Sequence, residues 1–255
     1  MLPKEHGAYG QLLFPLLTAL AVGRRTPAAL LLGGAAVFAF LAHEPLLVLL
    51  GHRGPRAARE QRSRAIVWLS SAAVATAVLA AAAILTMPSR VSIAGALAAP
   101  VALAALLAIV IVSRREHTLA GEVLASLTFA SLALPVARAA GAVQIVAFTI
   151  TAVFAAIFVA ATMSVHAVIA RTRRPPALRA RTAAVLAAIG SVVALWLLGR
   201  SDLVSNLSFA AAVPSCTAAT ISALFVRSAV RLRAVGWTFI VTTLLASALL
   251  FVAFG

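Results

Sequence analysis

Acidic residues are scarce in this chain. Its 255 residues include only six aspartates and glutamates, and charged residues of both signs make up 11% of the total, whereas soluble domains contain about a quarter. Hydrophobic residues make up 63%. Runs of roughly 17 to 25 apolar residues recur along the whole length, and each is long enough for a helix to cross a bilayer. The composition therefore excludes a soluble globular fold and predicts a single integral-membrane domain over residues 1–255.

Cysteine and nucleotide-binding motifs are almost absent as well. The single cysteine, Cys216, lies in an apolar stretch, so a monomer can form no disulfide and the residue is predicted to be a small buried hydrophobe. The sequence has no strand pattern followed by a Gly-rich phosphate loop, and it has no C-x-x-C-H motif. These absences give no support to a nucleotide, sugar or c-type haem site.

The apolar runs predict an all-α, polytopic transmembrane bundle of about nine spans. Charged residues and stretches rich in Pro and Gly separate the runs. The first span is short and contains Pro15, so it is expected to begin as early as Gly7, to tilt, or to kink. The predicted spans are 9–23, 27–50, 65–87, 92–112, 119–137, 142–170, 182–199, 204–225 and 235–254.

The basic residues are distributed unequally between the two sides of this bundle. Nine crossings place sixteen of the 21 Lys and Arg residues in loops on one side and the remaining five on the other. The positive-inside rule then predicts a cytoplasmic N-terminus and an external C-terminus. Basic loops facing anionic headgroups also explain the net charge of +15, so membrane lipids are the expected partners and nucleic acid is not.

The few ionisable residues near the spans predict a polar cavity open to the cytoplasmic side. All five histidines and five of the six acidic residues fall on that side, and three pairs adjoin in sequence, namely Glu5-His6, His43-Glu44 and Glu116-His117. An ionisable side chain inside a bilayer costs on the order of 3 kcal/mol, so such residues usually have a functional or a paired role. The candidate catalytic residues are His43, Glu44, Glu122 and His166.

Other residues at this side are candidates for binding a polar head group. His6 is expected to point into the polar opening beside His43 and Glu44. A helical continuation after the second span places Arg56, Arg59 and Glu60 within one turn, a spacing suited to holding a phosphate or carboxylate, although a topology signal is the alternative. The candidate binding residues are Glu5, His6, Arg53, Arg56, Arg59, His117 and Arg173.

A metal ion is a further alternative for the same residues. His6, His43, Glu44 and His166 could hold Zn²⁺ or iron, since both accept imidazole and carboxylate ligands. No H-E-x-x-H or comparable spacing supports this. Bis-histidine haem ligation through His43 and His166 is another option. The structural alternative is that each group is hydrogen-bonded or ion-paired and only holds helices together.

Two segments carry a resemblance to a known family. PKEHGAYGQLLFPLL at the N-terminus and the second span ending in HEPLLVLL resemble the YwiC-like family of bacterial membrane proteins. This resemblance implies a multi-pass protein of the bacterial cytoplasmic (inner) membrane. It supplies no biochemical activity.

The predicted topology is also similar to the UbiA-type prenyltransferase superfamily. LAGEVLASLTFASLALPVA resembles the fifth helix of its menaquinone-pathway members, with the match at Gly121 and Glu122. Those enzymes hold Mg²⁺ and a prenyl diphosphate with Asp-rich motifs. The corresponding stretches here, HEPLLVLLGHRGPRAARE and HAVIARTRRPPALRA, contain no aspartate. The resemblance thus implies either a scaffold that binds an isoprenoid or quinone, or a transferase that uses His43, Glu44 and His166 differently.

Three functions therefore remain open at the level of sequence. The first is a protein that binds or transforms a lipid-soluble amphiphile of isoprenoid or quinone type. The second is a proton-coupled transporter for a small solute using His43 and Glu44, although residues 1–127 and 128–255 show no internal repeat. The third is an accessory membrane subunit with no site of its own. Whether the chain is an enzyme, and its oligomeric state, are left open.

Overall fold

The structure is a computed structural model, and it describes residues 6–87, 93–173, 177–226 and 228–255. These residues form helices with short connections and no strand. A 3₁₀ turn at Ala229–Arg231 precedes the last helix. The helices are α1 (His6–Val22), α2 (Pro27–Leu41), α3 (His43–Leu49), α4 (Pro55–Glu60), α5 (Arg62–Thr86), α6 (Ile93–Val112), α7 (Leu119–Ser131), α8 (Ala133–Ala139), α9 (Gln144–Arg173), α10 (Leu178–Arg200), α11 (Ser208–Phe225) and α12 (Leu232–Phe254).

The predicted polytopic bundle is confirmed. In the described part of the chain, eight helical segments are long and apolar enough to cross a membrane, with α2–α3 and α7–α8 each counted as one. The remaining predicted span, the first, is the shorter apolar helix α1. It continues through Pro15 without a break. Cys216 is buried, as predicted.

Two of the spans are interrupted, and proline explains both interruptions. α2 ends at Leu41, four residues before Pro45, and α7 ends at Ser131, four residues before Pro135. A proline ring removes one backbone donor and clashes with the carbonyl four residues earlier. In each span the regular helical hydrogen bonding is therefore interrupted at that carbonyl. The chain then continues as the short helix α3 after α2 and as α8 after α7.

The helices divide into an inner and an outer set. α1 contacts α2, α7, α8, α9 and α12, and α9 also contacts α10 and α11. In contrast, the most apolar windows of α5, α6, α10 and α12 are only 11%, 17%, 22% and 17% buried. Large apolar side chains such as Leu85, Val101 and Val252 are exposed on them. Since a bilayer solvates such surfaces, these four helices have lipid-facing sides.

Small side chains let the inner helices approach closely. Ala19, Ala29, Ala130 and Ala160 are fully buried in one continuous core, as is common where membrane helices pack without a hydrophobic driving force. At one end of the bundle, Thr26 donates a hydrogen bond to the Ala139 carbonyl at 2.8 Å. The other end carries the connections 50–61 and 113–118 and the start of α12, and it is called the basic end below.

Candidate functional site

One large cavity lies in the half of the bundle that is nearest to the basic end. Its volume is about 1110 Å³, which slightly exceeds the usual upper limit of about 1,000 Å³ for small-molecule sites. The walls come from the first half of α1, the last part of α2, the start of α3, one residue of α5, the second half of α6, most of α7, the middle of α9 and the first half of α12. The cavity thus joins helices from both halves of the sequence.

The deeper walls of the cavity are apolar and partly aromatic. Phe40 stands edge-on to Tyr9, with ring centroids 5.1 Å apart, and edge-on to Phe129 at 5.6 Å. Phe14 and Phe158 line the same space. Edge-to-face rings form a rigid hydrophobic surface, so this part of the cavity suits an apolar group.

Charged side chains line the cavity where it reaches the basic end. They lie on four different segments: the start of α3, the connection between α6 and α7, the first turn of α7 and the first turn of α12. Together they form what is called the polar mouth below. Its members are His43, Glu116, His117, Glu122 and Arg233.

Glu116 is held in the polar mouth by contacts with two histidines. Its Oε1 lies 2.8 Å from Nδ1 of His52, and the two side chains are only 11% and 7% exposed. This contact joins the connection after α3 to the connection after α6. Nε2 of His117 is 4.0 Å from the same oxygen. The other oxygen, Oε2, is covered and has no hydrogen-bond partner among the described residues.

The electrostatic surroundings keep Glu116 ionised. Burial on its own would raise the pKa of this carboxyl. A backbone hydrogen bond, the hydrogen bond to His52 and the charges of His52 and His117 outweigh burial, so the pKa lies below its usual value. The cavity therefore has a carboxylate in its wall at neutral pH.

The start of α7 brings the chain close to this group. Thr118 caps the helix by accepting a hydrogen bond from the Gly121 amide at 3.2 Å. A Cβ on Gly121 would lie 2.5 Å from the Arg115 carbonyl oxygen and 2.9 Å from the Cα of Glu116. Only glycine permits this approach, which positions Glu116 and His117 beside the first turn of α7.

A second polar group lies further along the cavity. The Ser126 hydroxyl lies 2.9 Å from the hydroxyl of Thr162 and accepts a hydrogen bond from the Gln11 side chain at 3.3 Å. It is also within reach of the Glu122 carbonyl, at 2.9 Å. The group connects α1, α7 and α9. A hydroxyl or carbonyl group of a bound ligand could form a hydrogen bond with these side chains.

The structure brings only some of the sequence-predicted residues together. His43, His117 and Glu122 line the cavity. Glu44, which is adjacent in sequence, is not among the lining residues. Its carboxylate accepts two hydrogen bonds from Arg53, from Nε at 3.0 Å and from Nη2 at 2.6 Å. These two candidates thus form an ion pair beside the cavity.

Two further predicted binding residues are directed elsewhere. The Arg56 side chain donates to Glu60 at 2.7 Å on an exposed surface. Arg59 donates to the Pro55 carbonyl at 3.4 Å. The expected clamp of Arg56, Arg59 and Glu60 is therefore an exposed intrahelical arrangement that does not line the cavity.

His166 lies on α9 but does not line the cavity. Among the described residues, no group of three His, Cys, Asp or Glu side chains is placed to hold a metal ion. His43 faces the cavity and His166 does not, so the geometry offers no support for joint haem ligation by these two residues. Glu5 and the side chains of His6 and Arg173 lie outside the described part of the structure, and the expectations for them stay predictions.

Several lining residues were not predicted from the sequence. Gln11, Ser126 and Thr162 are ordinary polar residues within apolar spans, and Gln11 is the one that could have been singled out, since amides inside spans are costly. Arg233 and Trp237 lie in the first turns of the last span, where a topology signal and an interfacial aromatic are expected anyway. Their contribution to the cavity follows from helix packing.

The helices, their lipid-facing sides and the internal cavity define a polytopic helical membrane protein. A family model described as YwiC-like protein matches residues 2–138, which is more than half of the chain. The chain belongs to the YwiC-like family, as its N-terminal motif indicated. No curated protein and no solved structure matches it.

The family match has a defined place in the fold. It covers α1 to α7 and all but the last residue of α8, and therefore includes the entire polar mouth except Arg233. The cavity walls supplied by α9 and α12 lie outside the match. The similarity to UbiA-type enzymes stays a prediction.

Proposed function

We propose that this protein binds a lipid-soluble amphiphile of isoprenoid or quinone type in its cavity, with the apolar body among the phenylalanines and the polar group at the polar mouth. The observation that carries the proposal is that one cavity has an apolar interior and ionisable side chains at a single end. Such a division matches a molecule with one apolar and one polar part.

The membrane location and orientation belong to the same proposal. The basic end carries most of the arginines, so the positive-inside rule places it in the cytoplasm of a bacterial cell and places the cavity in the cytoplasmic leaflet of the inner membrane. An amphiphile dissolved in that leaflet has its head group at about the same depth as the polar mouth. Its tail then remains at the depth of the hydrocarbon.

Any chemical transformation would have to occur at the polar mouth. An imidazole side chain can both accept and donate a proton near neutral pH, and His43 and His117 both line the cavity. They are therefore the groups best suited to exchange a proton with a bound head group, and Glu122 is a third candidate. Glu44 is ion-paired and His166 lies elsewhere, so neither is proposed to touch the ligand.

Tryptophan fluorescence tests the binding directly. Trp237 lines the cavity, whereas Trp68 and Trp196 do not. In the W68F/W196F variant, a short-chain quinone should quench the remaining tryptophan in a saturable manner. The matched W68F/W237F variant keeps only Trp196, and the same titration should show only weak, linear quenching from quinone dissolved in the membrane.

An occlusion variant completes the test. Ala161 lines the cavity on α9, and Ala161→Phe should abolish saturable quenching because the new ring occupies the binding space. Saturable quenching of Trp196 equal to that of Trp237, or quenching unaffected by Ala161→Phe, would count against the cavity as the site.

A further inference from the structure

The charges lining the cavity restrict the head group that it can accept. Two carboxylates, on Glu116 and Glu122, face the cavity, but only one guanidinium, that of Arg233, does so among the described residues. The Glu116 carboxylate is ionised at neutral pH, so an anionic head group would meet a like charge there. A carboxylate-lined mouth repels an anionic head group, and the low dielectric of a membrane-embedded cavity strengthens that repulsion.

The arginines that could neutralise a phosphate are directed away from the cavity. Arg53 binds the Glu44 carboxylate, and Arg56 binds Glu60. At the far side of the basic end, Arg171 and Arg181 both donate to the Leu224 carbonyl, at 3.0 and 3.3 Å. None of these side chains lines the cavity. A diphosphate generally needs several arginines or a metal ion, whereas Arg233 is the one guanidinium among the described residues that lines this cavity.

The acceptors in the polar mouth favour a hydrogen-bond donor. Glu116 is held by His52 through one oxygen, and its second oxygen has no partner among the described residues. An unsatisfied buried carboxylate oxygen is costly, so a ligand donor reaching it after a small side-chain rotation would be stabilised. The Ser126 and Thr162 hydroxyls offer further acceptor positions deeper in the cavity.

We propose that the cavity selects an amphiphile whose head group is uncharged and donates a hydrogen bond, such as the hydroxyl of an isoprenoid alcohol or a quinol, and discriminates against phosphorylated head groups. This inference rests on the proposed binding function. It deepens that function by assigning the class of head group.

Three ligands with the same farnesyl tail test the selection. Farnesol, farnesyl methyl ether and farnesyl diphosphate would each compete with the short-chain quinone for the Trp237 site of the W68F/W196F variant. Farnesol should displace the quinone at a concentration at least about tenfold lower than the diphosphate, since one close like charge is worth about that factor or more. The ether, which cannot donate, should compete less well than the alcohol.

Charge variants identify the groups responsible. Glu116→Gln and Glu122→Gln should each narrow the preference for farnesol over farnesyl diphosphate, and Arg233→Gln should widen it. Glu60→Gln is the matched control, because Glu60 is an exposed carboxylate that does not line the cavity. It should leave the preference unchanged.

The outcomes separate this inference from the proposed function. If the quinone binds but farnesyl diphosphate displaces it as well as or better than farnesol, the assignment of the head group is wrong and the binding function stands. If neither the quinone nor any farnesyl compound changes Trp237 fluorescence, the binding function itself is wrong. The competition in the W68F/W196F variant alone decides between these results, so the decision does not depend on how well the charge variants fold.

Discussion

Replacing Gly121 by alanine should disturb the polar mouth through the backbone. The added Cβ would lie 2.5 Å from the Arg115 carbonyl oxygen, whereas ordinary van der Waals contact begins at 3.4 Å. The difference is about 0.9 Å, and backbone atoms cannot rotate away as a side chain could. The connection 113–118 must therefore shift, and it carries Glu116 and His117.

The size of the effect follows from two contributions. Overpacking of this kind costs roughly 1–3 kcal/mol. A shift of the Glu116 backbone also stretches the 2.8 Å contact with His52 toward distances at which a hydrogen bond is lost. We therefore expect Gly121→Ala to destabilise the protein by about 2 kcal/mol, equivalent to a decrease of roughly 4–8 °C in Tm. Thermal unfolding in detergent and quinone titration of Trp237 measure both consequences.

Gly190→Ala is the matched control. It also places alanine in a helix, but nothing lies within 4 Å of the added Cβ. Alanine is favoured over glycine in helices by up to about 1 kcal/mol, so this variant should be at least as stable as wild type and bind the quinone normally. If Gly121→Ala behaved like Gly190→Ala in both assays, the close approach of α7 to the connection would not constrain the polar mouth.

Three other perturbations have distinct expected outcomes. Gly23→Ala, at the opposite end of the bundle, should lower Tm because its Cβ would clash with the Cβ of Ala140, yet quinone affinity measured at low temperature should be unchanged. Glu44→Gln should destabilise by about 2–3 kcal/mol because Arg53 loses a largely buried partner, and adding Arg53→Gln should recover part of the loss in thermal unfolding. The pKa of Glu116 is lowered in the folded state, so its contribution is complete above its unfolded value near 4.5 and decreases as the pH falls through the folded value. Stability measured from about pH 6 down to pH 3 should therefore decline less in Glu116→Gln than in wild type, and equal slopes would contradict the assignment.

The architecture was largely predictable from the sequence because hydrophobic length is a direct requirement of the bilayer. The sixth predicted span, 142–170, corresponds to α9, Gln144–Arg173, and the ninth, 235–254, to α12, Leu232–Phe254. The break that separates α7 from α8 was not predicted, although Pro135 provides the same signal as Pro45 does for the end of α2.

The composition of the cavity was less predictable, for a physical reason. The sequence reveals which residues are ionisable and near the basic end, and of the candidates chosen in this way His43, His117 and Glu122 line the cavity. It does not reveal which side of a helix a residue occupies in the packed bundle. Glu44 follows His43 directly, yet consecutive residues on a helix project about 100° apart. The His43 side chain consequently faces the cavity, whereas the Glu44 side chain forms an ion pair with Arg53.

The contact between α1 and α12 affects the order in which the protein can be assembled during translation. A chain is synthesised from its N-terminus, so α1 enters the membrane long before its neighbour α12 leaves the ribosome. Until then the side of α1 that contacts α12 must be covered by lipid or by the insertion machinery. The wall of the cavity that α12 supplies is therefore added only at the end of synthesis, and the cavity of a partly made chain is incomplete.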